Sequence, residues 1–259
     1  MRLVELFLNE TTEEDRALIS LSSAIYNYLQ RYADQDLDYD NPDDEENGVV
    51  RLGKLGNMFD TPIQGMEDIN LEIQTDMGLV DRVRRETPDE FTDTSGADGP
   101  GGIWYNHNKT MVLNSDFLSS DDMKSVVTHE LRHALDDVKS GYKANVSTRY
   151  GTAKNKSYRK VTKDPHMGNV AYLAQPAEIN GRFAQALDKL TDQIPHLIKY
   201  PQDQIHKRSV RLLLQAMDKY NISHLFPEKE KSRDYKRLLK RGMDFIQKEL
   251  NYLISTQPK

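Results

Sequence analysis

His129-Glu130-Leu131-Arg132-His133 places two imidazoles four residues apart, with a carboxylate directly after the first. A helix turns once in ~3.6 residues, so both rings leave the same face at a separation that one divalent ion can bridge. A catalytic ion of this kind takes one more protein ligand and keeps one position for water. Glu130 is placed to take a proton from that water without ligating the metal, so the chemistry expected here is metal-assisted hydrolysis. With no cysteine in the chain, thiolate ligands and disulfides are excluded, and zinc would be held by nitrogen and oxygen alone.

The element carrying these residues reads as a helix without help from the motif. Ser119 or Ser120 is the expected N-cap, Asp121 and Asp122 fall in the first turn, and Gly141 is the expected stop. Met123, Val126, Val127, Leu131, Ala134, Leu135 and Val138 form its apolar stripe, leaving His129, His133 and Asp137 on another face. The best candidate for the third ligand is Glu178. It follows Pro176, which suits the first position of a new helix whose buried stripe is Ile179, Phe183, Leu187 and Leu190. Two alternatives stay open: Glu178 merely complements the helix dipole, or His166 supplies the third ligand.

An HExxH helix followed by a second helix carrying a Glu resembles the gluzincin branch of the zincin metallopeptidases, over roughly residues 100 to 190. The short Pro-x-Glu-Ile pattern is similar to that of small, often phage-encoded metallopeptidases. The resemblance implies zinc held by His129, His133 and Glu178, with Glu130 as general base. It also matches Asp137, four residues after His133, to an acid that orients a ligand imidazole through its other nitrogen; the alternative for Asp137 is a solvated acid at the helix end. Zincins place an edge strand beside the active-site helix to hold an extended substrate. Ile103-Trp104-Tyr105 and Thr110-Met111-Val112-Leu113 read as two such short strands around Asn106-His107-Asn108-Lys109, with Trp104 expected to pack.

Residues 141 to 175 form a long connection with seven basic side chains against Asp164 alone, and connections of this length are usually lids, binding loops or disordered. The donor for a developing oxyanion is sought here among Tyr142, Tyr150, Tyr158, His166 and Tyr172. Tyr172, six residues before Glu178, is the first choice because some related domains keep a Tyr at a similar distance. A second loop, residues 34 to 47, carries eight acids and no base from Asp34 to Glu46. It lacks the Gly and Glu that a calcium-binding loop requires at its sixth and twelfth positions. A solvated loop is the ordinary reading, and docking on the basic loop to shield the cleft is a further one.

The remaining chain gives a coarser picture. Thr11-Thr12-Glu13-Glu14 opens a helix continuing to residue 33, with Leu18, Ile19, Leu21, Ile25, Leu29 and Tyr32 on one face. Val49-Val50-Arg51-Leu52 and Ile69-Asn70-Leu71-Glu72-Ile73 read as strands, residues 93 to 102 as a glycine-rich loop, and helices are expected near 202 to 220 and 229 to 254. The expected fold is α+β: a zincin-like domain over residues 1–195, with a small mixed sheet packed on the HExxH helix, and a helical extension over 196–259. The N-terminal run is too short and too interrupted by charge for a signal peptide, no stretch approaches a membrane span, and a cytoplasmic location, in a host cell or a virion if phage-encoded, is expected.

The function expected is zinc-dependent hydrolysis of protein or peptide. The alternatives are a metal-stapled structural or assembly protein, for example in a virion, and a nucleic-acid-binding module using the basic stretches. Net charge of −6 disfavours the last, and an intact Glu130 disfavours a purely structural metal.

Overall fold

A computed structural model describes residues 12–33, 49–61, 63–74, 101–118, 120, 122–141, 176–226, 229 and 232–256. Among them are seven α-helices and one four-stranded sheet, an α+β fold in which helix predominates. The chain divides into two compact units, one of residues 20–172 and the other of residues 1–19 with 173–259.

The first unit is built on the sheet. Strands β1 (Val49–Lys54), β2 (Asn70–Gln74), β3 (Gly102–Tyr105) and β4 (Thr110–Asn114) lie in the order β1-β2-β4-β3. β2 and β4 pair in parallel, and the outer strands β1 and β3 pair antiparallel to them. This mixed pattern follows from connectivity: β3 and β4 are joined by a short turn, whereas β2 reaches β4 only through a long excursion. β4 lies between two strands and is buried along its whole length, as its unbroken Met111-Val112-Leu113 run requires. Lys109 closes the β3–β4 turn in the left-handed region with φ 53°. A short helix, α2 (Leu55–Met58), follows β1.

Helix α3 (Met123–Ser140) packs on β3 and β4. It begins later than the sequence suggests: Asp122 is its N-cap, while the carbonyl of Ser120 accepts from the Met123 amide in the turn before it. Its end is as expected, with Gly141 in the left-handed conformation and its N–H bonded to the Val138 carbonyl. Met123, Val127, Leu131, Ala134 and Leu135 are buried. Helix α1 (Thr12–Ala33) meets α3 through a buried hydroxyl pair, Ser22 Oγ and Thr128 Oγ1 at 2.6 Å.

The second unit is helical. Helices α4 (Pro176–Thr191), α5 (Ile194–Leu197), α6 (Gln202–Lys219) and α7 (Arg233–Thr256) enclose a core that includes Phe183, Leu187, Leu213, Met217, Phe245 and Ile246. The N-terminal part of α1 joins this core through Ile19. It is tied to α7 by a buried Asp15–Arg241 ion pair and by Glu13–Lys248 and Arg16–Glu249. α7 starts at Arg233, four residues after the expected start at 229, because Ser232 caps it: its Oγ accepts from the Tyr235 amide. Among the described residues, no helix is long and apolar enough to cross a membrane.

Candidate metal centre

Each of the three expected ligands sits on a regular helix. His129 and His133 lie in the middle of α3, half-buried, with their Nε2 atoms 2.9 Å apart and their rings nearly perpendicular, at 85°. At that distance the two nitrogens face each other and share a hydrogen bond, with the donor set by the tautomers. Two nitrogens bound at ~2.0–2.1 Å to a tetrahedral ion stand about 3.3 Å apart, so a small separation of the rings would admit one. Glu178, in the first turn of α4, is 5% exposed. His129, His133 and Glu178 each offer a ligand atom, and these atoms all lie within 4.8 Å of one another. Two imidazoles and a carboxylate could hold a metal ion, and the donor set fits zinc and its neighbours rather than a purely oxygen-seeking cation.

At 100° per residue, the histidines on α3 are flanked by two rows. On one side stand Glu130 and Asp137, seven residues apart and so nearly in line; both are buried. On the other stand Arg132 and Asp136, fully buried and paired at 2.8 Å. Arg132, inside the motif, is among the most buried side chains of the described residues; in the sequence, only its spacing of four from Asp136 points to a pair.

The Glu130–Asp137 row faces β3. A Cβ on Gly102 would stand 3.2 Å from Cγ of Glu130 and 2.8 Å from Val126, so the strand and helix approach too closely here for a side chain. Gly102 belongs to β3 rather than to the glycine-rich loop in which the sequence placed it. Two residues on, and therefore on the same face of the strand, the indole Nε1–H of Trp104 donates a 2.7 Å hydrogen bond to Oδ2 of Asp137. Trp104 thus does more than pack. Asp137 is correspondingly 5% exposed, not the solvated helix-end acid held open as its alternative.

Burial pushes the Asp137 carboxyl up to about 6. The Trp104 hydrogen bond and the positive charge of His133 pull it down, and Asp136 adds a smaller upward push.

Tyr142, Tyr150, Tyr158, His166 and Tyr172 lie outside the described residues, as do the acidic loop and, beyond Gly141, the basic loop. No family model, curated protein or solved structure matches the chain.

Proposed function

We propose that the protein is a zinc-dependent metallopeptidase of the zincin type, acting on protein or peptide. The reading is carried by one observation, the convergence of His129, His133 and Glu178, to which the buried Glu130 on the same helix adds a base. A zinc ion held by these three residues would polarise the scissile carbonyl and make an attacking water acidic near neutral pH. Glu130 takes the proton of that water and delivers it to the departing amine, which balances the hydrolysis without a further acid. The buried carboxylate of Asp137 orients His133 from the next helical turn. Tyr172 remains the proposed donor to the oxyanion. No thiolate is involved, which suits a reducing compartment such as the cytoplasm.

A metal serving only as a staple needs no carboxylate beside its ligands, so the pairing of motif histidines with Glu130 favours catalysis. The test is a peptide-library digestion by zinc-loaded wild type and Glu130→Gln. Cleavage by the wild type, with a loss of about a hundredfold or more in the variant at unchanged zinc content, is expected. Equal cleavage by both, or none by either, would overturn the assignment.

A further inference from the structure

We propose that Trp104 is a positioning residue for the metal centre, acting through the carboxylate of Asp137 on the ligand His133. The inference rests on the metal-site reading above and adds a component that neither the HExxH motif nor the downstream Glu contains. Trp104 is held by its strand: it sits in register with Met111 across the β3–β4 pair, and Gly102, on the same face, fits against Glu130 and Val126 of α3. From this fixed base the indole N–H reaches Oδ2 of Asp137 at 2.7 Å. A donor bonded to an ionised carboxylate forms a strong, directional contact that fixes the carboxylate's plane. Asp137 follows His133 by four residues, the spacing at which side chains meet on a helix surface. The sheet therefore sets the orientation of an acid whose neighbour is a ligand imidazole. Ligand orientation sets metal affinity and ligand field, and losing such a supporting contact typically weakens metal binding by about ten- to a hundredfold.

The test uses Co²⁺ alone as probe, with full-length wild type, Trp104→Phe, Asp137→Ala and the double variant. Affinity is read by competition with a chromophoric chelator, and the ligand field by the visible absorption of the bound ion. Trp104→Phe keeps an aromatic ring and removes the donor. Because the chain has a single tryptophan, biosynthetic replacement by β-(3-benzothienyl)alanine changes only this position, substituting sulfur for N–H at nearly constant shape; it serves if Trp104→Phe fails to fold. The expected result is about tenfold weaker Co²⁺ binding with displaced visible bands for either replacement, and no further loss when Trp104→Phe is added to Asp137→Ala. Unchanged affinity and spectrum on removing the donor would overturn the proposal while leaving the metal site standing. So would a Trp104→Phe effect that is fully additive with Asp137→Ala, because the route through Asp137 would then be wrong. Failure of folded wild type to take up Co²⁺ would remove the metal-site reading itself, and this inference with it.

Discussion

Cγ of Glu130 lies 3.2 Å from the point where a Cβ on Gly102 would stand, which makes a strand residue without a side chain the neighbour of the proposed general base. The same Cβ would come within 2.8 Å of Val126 Cγ1 and 3.1 Å of Leu113 Cδ2, so the side chains of α3 and β4 around it must shift to make room. Gly102→Ala is expected to destabilise the protein by about 1–3 kcal/mol, the usual cost of overpacking. Glu130 would be displaced more than the histidines, so peptide hydrolysis falls further than zinc affinity. Urea unfolding, zinc competition and hydrolysis rates on one preparation separate these effects.

Asp137 supplies a pH dependence in the metal-free protein. Its carboxyl is raised from 3.8 to about 6, chiefly by burial. The folded state therefore holds a proton that the unfolded state has released. The contribution to stability is fully present below the unfolded value and is lost as pH rises through about 6. Asp137→Asn keeps an acceptor for Trp104 and removes the titration, so its stability should not fall over this pH range on this account. The emission of Trp104, the sole tryptophan, should show a midpoint near 6 that disappears in the variant. A bound cation beside His133 should move the midpoint down.

In the helical unit, Asp15 and Arg241 are 2% and 7% exposed, and the guanidinium contacts both carboxylate oxygens while lying 5.2 Å from the centre of the Phe183 ring. Removing one partner takes the opposite charge away from a buried ion. Asp15→Ala is expected to cost about 3–5 kcal/mol in urea unfolding, and Asp15→Leu combined with Arg241→Met to recover most of it. A loss under 1 kcal/mol for Asp15→Ala would show that water reaches the pair.

Much of this architecture is legible in short stretches of sequence. The α3 stripe, the Gly141 stop, the Pro176 helix start, the alternating residues of β1 and β2 and the short apolar runs of β3 and β4 are local signals, and each corresponds to an element in place. Boundaries fail where caps compete. Ser119 or Ser120 reads as the cap of α3, but the Ser120 carbonyl serves a preceding turn, and the hydroxyl that caps α7 belongs to Ser232, inside a basic stretch that reads as helix already. Contacts between distant residues are the part that local patterns do not encode. Trp104 and Asp137 are separated by 33 positions and Asp15 and Arg241 by 226. A tryptophan in a strand reads as packing, and an acid in a first helical turn reads as a dipole partner, until the fold supplies the other half of each pair. His129 and His133 are legible as a pair because both candidate ligands belong to one helix, whereas Glu178 lies on a different helix, 45 residues further along the chain.

The most direct test of the metal centre is zinc content by elemental mass spectrometry on wild type, His133→Ala and Glu178→Ala, after brief dialysis against a weak chelator. Near-equimolar zinc in the wild type, with loss from both variants, is expected of a three-ligand site. A folded wild type that retains no zinc would contradict the metal centre, and zinc that survives Glu178→Ala undiminished would contradict Glu178 as its third ligand.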